Sequence, residues 1–122
     1  GSWGVRLRPT KALEFVECRF TGACGARISS NNSFTLNNWN HVFATWDGSV
    51  LASNMHIYVN GVEVTYTTTL DDTGTPVSDA ANNFNIGSNV SNQFYNGLID
   101  DVRVYNRVLS AAEVLQLYNM GK

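Results

Sequence analysis

The stretch MHIYVNGVEVTY, residues 55–66, is the strongest local indication of structure in the chain. Its central dipeptide, Asn60-Gly61, is favoured in two-residue hairpin loops because both residues tolerate positive φ. Apolar residues alternate before and after it, as half-buried strands require. They are Met55, Ile57 and Val59, then Val62, Val64 and Tyr66. The stretch therefore predicts an antiparallel β-hairpin.

Short alternating stretches lie on both sides of this hairpin. They are GVRLRP (4–9), ALEFVECRF (12–20), the weaker runs at 26–32 and 33–38, WNHVFATWDG (39–48), FNIGSN (84–89) and QFYNGLIDDVRVYN (93–106). The alternation changes phase inside ALEFVECRF, which fits either a bulge or a strand covered on both faces. The polar run at 67–83 contains Gly74 and Pro76 and predicts a surface loop.

One short helix is predicted near the C-terminus. Ser110 and Glu113 have the spacing of a capping box, in which each side chain satisfies a backbone N–H at the start of a helix. The apolar face that follows consists of Val114, Leu117 and Tyr118, and Gly121 ends the helix. Many short strands with a single short helix indicate an all-β sandwich or barrel.

The composition is that of one folded domain. The chain has 122 residues, and its 43% hydrophobic and 15% charged content argues against disorder. The formal net charge is −2 with no cluster of Lys or Arg, so nucleic-acid binding is not expected. No apolar run is long enough to insert into a membrane. Gly1-Ser2 is typical of a cleaved tag, which leaves residues 3–122 as the predicted domain.

The two cysteines, Cys18 and Cys24, flank a turn signal at Thr21-Gly22. A hairpin at this turn brings the two thiols together, and a disulfide closing so small a loop implies an oxidising compartment. The alternative is a pair of unrelated small apolar side chains. Neither histidine of the chain has metal-ligand spacing to the cysteines, so no metal site is expected there.

Four segments follow one another with plausible gaps: WNHVFATWDGS (39–49), MHIYVNGVEV (55–64), FNIGSN (84–89) and FYNGLIDDVRVYNRVLSAAEVLQLY (94–118). In this order they resemble the laminin G-like branch of the concanavalin A-like lectin/glucanase superfamily. The resemblance implies an antiparallel jelly-roll-like β-sandwich, in a superfamily of sugar binders, glycosidases and protein-adhesion modules. The strands that usually open the domain are not seen. We therefore expect a compact variant or a fragment, with an uncovered sheet edge through which copies of the chain associate.

The carboxylates do not form the pair that a glycosidase needs. Glu14 and Glu17 are three residues apart, which puts them on opposite faces of an unbulged strand. Asp71-Asp72 lies in the polar run, and Asp100-Asp101 divides between two strand faces. There is no nucleophile elbow, and His41 is interpreted as a half-buried structural imidazole. The sequence therefore favours a module that is not an enzyme.

Carbohydrate recognition is the predicted role, and the resemblance supports it more than the residues do. Sugar sites use aromatic faces for stacking, and amide or acid side chains for hydroxyl groups. The predicted ligand-binding residues are Tyr66, Asn89, Asn92, Tyr95 and Asn96. The alternative for residues 94–95 is structural, with Phe94 in the core and Tyr95 capping the sheet edge. Trp39 and Trp46 lie within apolar strand patterns and are expected in the core.

The expected partner is a glycan or a cell-surface ligand, and the expected location is secreted or cell-surface. An alternative is a protein-binding adhesion or structural module, which leaves no motif because flat interfaces have none. A fragment of a glycoside hydrolase is a further alternative. The resemblance does not decide among these functions, because one fold hosts many of them.

Asp100 fits its surroundings least well. In a strand it shares a face with Leu98, Val102 and Val104, so this face is expected to point into a core. A carboxylate there needs a partner: the backbone N–H groups of a turn, an arginine, or a calcium ion at the rim of the sandwich. The resemblance implies calcium, because the first Asp of the matching Ile-Asp-Asp/Glu segment commonly contributes to such a site. Asp100 is therefore the predicted ligand of a structural calcium ion.

Overall fold

The computed structural model describes residues 2–18, 22–75, 77–88 and 93–121. Within these ranges the chain forms seven strands, a 3-10 turn at Ala52–Asn54 and one α-helix. The strands are β1 (Ser2–Leu7), β2 (Leu13–Cys18), β3 (Gly25–Ser29), β4 (Val42–Thr45), β5 (His56–Val59), β6 (Val62–Glu63) and β7 (Tyr66–Leu70), and the helix is α1 (Ala111–Met120).

The strands form two antiparallel sheets, a four-stranded one in the order β1-β2-β3-β7 and a three-stranded one in the order β4-β5-β6. Two sheets with one short C-terminal helix confirm the predicted jelly-roll-like sandwich. β2 pairs with β1 in continuous register, and four of its six residues are buried, on both faces of the strand. The change of phase in its sequence therefore reflects a strand covered on both sides and not a bulge.

β5 and β6 form the hairpin that the sequence predicts. Asn60 and Gly61 have φ angles of 53° and 81°, and Val59 pairs with Val62 across them. The return strand ends at Glu63, because the chain then crosses to the other sheet, where Tyr66 begins β7. The prediction of a surface loop from residue 67 is wrong for 67–70, which pair with β3. β-branched threonines suit such an exposed edge strand.

The main core lies between the two sheets. Its buried residues come from β2, from the 3-10 turn with the residue after it, and from β5, and they are Leu13, Phe15, Ala52, Met55 and Ile57. Trp46 packs against this cluster, with its ring 6.3 Å from that of Phe15 in an edge-to-face arrangement. The expectation that Trp39 is also in the core is wrong, since 66% of it is exposed. β4 begins only at Val42, so Trp39 precedes the paired strand.

A second, smaller core lies between the three-stranded sheet and α1. It consists of Tyr58, Leu109 and Val114, with Phe43 and Leu117 packed against them. Tyr58 and Phe43 face each other across β4 and β5, while their neighbours Ile57 and Ala44 face the main core. The middle layer of the molecule is therefore a sheet with an apolar cluster on each face.

The predicted capping box of α1 is present. The Ser110 hydroxyl accepts a hydrogen bond from the Glu113 N–H, and the Ser110 N–H donates to Glu113 Oε2 at 2.8 Å. The helix packs closely on the hairpin turn, because a Cβ placed on Gly61 would lie 2.8 Å from Leu115 Cδ1.

The predicted disulfide between Cys18 and Cys24 is formed. It joins the last residue of β2 to the residue before β3. Thr21, the first residue of the predicted turn between the two cysteines, lies outside the described ranges. At Gly22 the backbone has φ +112°, and a Cβ there would lie 2.7 Å from the Gly74 nitrogen. Gly22, which lies within the disulfide-closed loop, thus packs directly on the segment after β7.

The stretches predicted as strands at 84–89 and 93–106 do not form strands over their described residues. One isolated bridge joins Ser88 to Phe94, and Asp101 turns the backbone out of the extended region with φ 54°. Alternation alone does not make a strand, because the backbone also needs a neighbour to bond with. Phe94 is 75% exposed and Leu98 is 78% exposed. The expectations that Phe94 fills the core, and that the face carrying Asp100 points into one, are therefore wrong.

Candidate functional site

A cleft of about 380 Å³ lies between the loop after β3 and the β5–β6 hairpin. Its described lining is mostly polar side chains over three valines: Ser30, Asn31, Asn32, Ser33, Asn60, Glu63 and Thr65, with Val59, Val62 and Val64. Hydroxyl and amide groups combined with apolar side chains are typical of sites for small polar ligands. The cleft is therefore the candidate binding site.

The loop that forms one wall is fixed by hydrogen bonds to the opposite wall. The Ser30 N–H donates to the Thr65 carbonyl at 2.8 Å, and the two hydroxyls of these residues lie 2.8 Å apart. Within the loop, the Ser33 hydroxyl donates to the Ser30 carbonyl at 2.6 Å. Asn32 takes positive φ, 60°, which asparagine tolerates. The walls are thus held in place before a ligand arrives.

Glu63 is the charged residue of the described lining, and two side chains are hydrogen-bonded to its carboxylate. Its Oε1 accepts from the Tyr66 hydroxyl at 2.8 Å and from His56 Nδ1 at 2.6 Å. Partial burial raises the pKa of Glu63, but these hydrogen bonds from His56 and Tyr66 outweigh burial and hold it below its ordinary value. Glu63 is therefore a carboxylate at neutral pH, oriented by its neighbours.

Tyr66, a predicted ligand-binding residue, lies beside the cleft and supports Glu63. Its hydroxyl accepts from the Ile57 N–H at 2.8 Å, and the Arg27 guanidinium lies 3.7 Å from its ring centroid. Arg27 in turn donates to the carbonyls of Ser53 and Met55. Burial raises the pKa of Tyr66, so its hydroxyl stays protonated as a donor. One ring face is covered by Arg27, which leaves less of the ring for stacking on a sugar.

The other predicted ligand-binding residues are not brought to the cleft. Tyr95 is 45% exposed, its N–H donates to the Gly87 carbonyl at 2.8 Å, and its ring lies over Gly97. Asn96 is exposed in the same irregular segment. Asn89 and Asn92 lie outside the described residues. A role in ligand binding for these four residues stays a prediction.

Sequence reasoning missed most of the cleft. Its Ser-Asn-Asn-Ser run, residues 30–33, follows a weakly predicted strand, and Glu63 takes the polar position of a hairpin strand. A usable signal was present, because a run of Ser and Asn offers many hydrogen-bonding groups. It becomes a site only where the fold places it opposite residues about 30 positions further along the chain.

His41 links the cleft to the helix. Its backbone N–H donates to Asn60 Oδ1 at 2.9 Å, and its ring lies 6.3 Å from that of Phe43 and 5.9 Å from that of Tyr118. Burial lowers the pKa of His41, with Asp101 acting in the opposite direction. His41 is thus half-buried, as the sequence predicts, and its purely structural role stays a prediction.

Asp100 is exposed, and its Oδ1 accepts from the Asp101 N–H at 2.8 Å. Asp101 binds Arg103 through both carboxylate oxygens, at 2.9 and 3.0 Å. The described residues contain no group of three His, Cys, Asp or Glu side chains placed to hold a metal ion. Calcium also takes backbone carbonyls and water as ligands. A calcium ion at Asp100 stays a prediction, and the described side chains do not by themselves supply its ligand set.

Comparisons with known proteins give one match to a family and one similar solved structure. Residues 1–115 match the model of a laminin G-like family, described as the Concanavalin A-like lectin/glucanases superfamily. No curated protein matches the sequence. The solved structure, an S-layer domain-containing protein from Clostridium thermocellum, is 25% identical with a TM-score of 0.49. The alignment covers 88% of this chain and 52% of that one, so the chain spans about half the length of that structure.

Proposed function

Because the chain belongs to the Concanavalin A-like lectin/glucanases superfamily, as its four ordered segments predict, we propose that it is a carbohydrate-binding module without catalytic activity. The superfamily and the two-sheet fold support a carbohydrate-binding or adhesion-type module. The observation that favours carbohydrate is the cleft of about 380 Å³ between the 30–33 loop and the hairpin.

The chemistry of the cleft suits a sugar. Serine and threonine hydroxyls and asparagine amides donate to and accept from sugar hydroxyls. Glu63 accepts charge-assisted hydrogen bonds, which are roughly twice as strong as neutral ones. The three valines of the lining offer apolar surface for the C–H face of a sugar ring. Both walls are fixed by hydrogen bonds, so little conformational entropy is lost when a ligand binds.

The proposal that the module is not an enzyme rests on the acidic groups of the cleft. Hydrolysis of a glycoside needs two carboxyl groups on either side of the scissile bond. Glu63 alone is acidic among the described residues that line the cleft. Of the two glutamates that lie three residues apart on β2, Glu14 is bound to Arg8 at 3.0 Å and Glu17 is buried. One carboxylate fits recognition of a hydroxyl group better than acid–base catalysis.

A protein-binding adhesion module is the second candidate. The edge strand β1 carries Trp3, Val5 and Leu7 on one face, and each of them is exposed. Within the described part of the chain β1 pairs with β2 alone, and an apolar stripe on such an edge suits addition of a strand from another protein. The cleft still favours a sugar, because its described lining is dominated by hydroxyl and amide groups.

We propose a secreted or cell-surface location. The bond between Cys18 and Cys24 supports it, because disulfides persist in oxidising compartments. Among the described residues, no helix has the length and apolar character needed to cross a bilayer.

A glycan array followed by calorimetry tests the proposed function. Asn31 lines the cleft and is exposed, so Asn31→Ala should weaken glycan binding by roughly 3- to 10-fold without unfolding the protein. Asn83 is exposed outside the cleft lining, so Asn83→Ala is the matched control and should leave affinity unchanged. Free sugar should compete with the array ligand. Absence of binding to all glycans, together with capture of a protein ligand, would favour the second candidate.

A further inference from the structure

The described lining of the cleft carries negative charge and no positive charge. Its described lining contains one carboxylate, Glu63, and its remaining side chains are hydroxyls, amides and valines, so none of these described residues is cationic. Two basic side chains lie close to Glu63: His56 Nδ1 is hydrogen-bonded to its Oε1, and Arg27 lies over the ring of Tyr66, whose hydroxyl is also bonded to Oε1. Arg27 is engaged with the carbonyls of Ser53 and Met55. The described lining of the cleft thus contains a carboxylate and no lysine or arginine.

The free oxygen of Glu63 is an acceptor for the ligand. Oε1 already accepts from Tyr66 and His56, while Oε2 has no hydrogen bond within the described part of the chain. An ionised carboxylate oxygen accepts hydrogen bonds and donates none. The hydrogen bonds that keep the pKa of Glu63 low also keep it in this acceptor form at neutral pH.

Resting on the proposed function, we infer that the cleft takes uncharged glycans and discriminates against glycans that carry carboxylate or sulfate groups. A sugar hydroxyl donates to Glu63 Oε2. An acidic group in its place meets a like charge and an oxygen that cannot donate. The described lining has no lysine or arginine to pair with an acidic substituent, which is the usual means of binding one.

The test is an array printed with neutral oligosaccharides and their C6-oxidised uronate counterparts, with affinities then measured for the best pair. The intact protein should bind the neutral member about 10-fold or more tightly than the uronate. Glu63→Gln keeps an acceptor for His56 and Tyr66 but removes the charge. This variant should bind the neutral glycan no more than about 3-fold more tightly than the uronate. Asp79→Asn removes an equal charge from the exposed loop outside the cleft lining and should preserve the ratio.

The salt dependence of the intact protein gives a measurement that requires no variant. Raising ionic strength screens like-charge repulsion, so the affinity for the uronate should rise relative to that for the neutral glycan. Equal or tighter binding of uronates, with a ratio that Glu63→Gln does not change, overturns this inference and leaves the proposed function standing. Binding of neither class overturns both.

Discussion

At the scale of single residues, Tyr66 shows what the sequence could and could not reveal. The alternation after Asn60-Gly61 places it on a return strand, but the chain crosses to the other sheet before reaching it. There its hydroxyl accepts a hydrogen bond from the Ile57 N–H and donates one to Glu63 Oε1. A pattern of alternation describes one strand and its neighbour, so a side chain that bridges two sheets cannot be read from it.

Removing that hydroxyl should destabilise the fold. Tyr66→Phe leaves the Ile57 N–H without its acceptor, so the free energy of unfolding should fall by about 1–3 kcal/mol in urea denaturation. Tyr95→Phe is the control, because the Tyr95 hydroxyl makes no hydrogen bond within the described residues, and it should change stability by less than about 0.5 kcal/mol. Equal losses of stability in the two variants would show that the Tyr66 hydroxyl does not stabilise the contact between the two sheets.

Substitutions at two glycines distinguish the cost of backbone strain from the cost of a steric clash with α1. Gly61 and Gly48 have almost the same φ, 81° and 82°, but a Cβ on Gly61 meets Leu115 whereas one on Gly48 meets open space. Gly48→Val should therefore lower the free energy of unfolding by about 1–2 kcal/mol through positive φ alone. Gly61→Val should lower it by about 1–3 kcal/mol more, because the helix must move. Thermal or urea denaturation of both variants measures the difference, and equal losses would contradict the packing of the turn on α1.

Calcium at Asp100 is tested by melting the protein with calcium and with a chelator. The prediction is a melting temperature several degrees higher with calcium, because an ion that binds only the native state stabilises it. Asp100→Ala should abolish that difference, while Asp79→Asn should retain it. A melting temperature that is the same with calcium and with chelator would leave Asp100 as an acceptor for the Asp101 N–H.

At the scale of elements, the sequence predicts what is local. The hairpin and the capping box form as predicted because each depends on residues within about six positions of one another. The stretches at 84–89 and 93–106 alternate equally well, yet no described strand pairs with them. Strand formation depends on a partner elsewhere in the chain, so the pattern is a necessary signal and not a sufficient one.

The cap of α1 should make stability depend on pH in the acid range. The Arg107 guanidinium, with the Ser110 N–H and hydroxyl, holds the pKa of Glu113 at about 2, against an ordinary value of 4.5. Because the folded-state pKa is depressed, this stabilisation is complete above pH 4.5 and is lost as the pH falls toward 2.

Melting temperatures across that pH range, for the wild type and Glu113→Gln, check the prediction. The difference between the two proteins should be largest near neutral pH and should shrink between about pH 4.5 and 2. Arg107→Gln removes the ion pair but leaves the capping box, so it should reduce the pH dependence only in part. A constant difference at all pH values would mean that Glu113 has no unusual pKa.

At the scale of the whole molecule, the fold class was predictable and the cleft was not. Many short strands, their turns and the order of four segments are properties of the linear sequence, and they suffice for a two-sheet sandwich. The cleft depends on which loop faces which hairpin, a consequence of sheet order that no local pattern encodes. Trp39 illustrates the same limit, because its apolar character is evident but its position before β4 is not.

Self-association is the prediction that belongs to this scale. β1 is an edge strand on which Trp3, Val5 and Leu7 are 44%, 40% and 43% exposed. We expect light scattering to show a mass that rises with protein concentration, because such an edge pairs readily with a second copy. Val5→Lys should suppress the rise by placing a charge in the stripe, whereas Arg6→Lys on the opposite face should not. A constant monomer mass at high concentration would contradict the prediction.

The packing of the hairpin turn on α1 has a mechanical consequence. Leu115 and Tyr118 of the helix lie against the turn, at 2.8 and 3.0 Å from a Cβ placed on Gly61. Asn60, the other residue of the turn, lines the cleft, and its Oδ1 accepts a hydrogen bond from the His41 N–H. Tension that peeled the helix away would therefore remove the packing that supports one wall of the cleft.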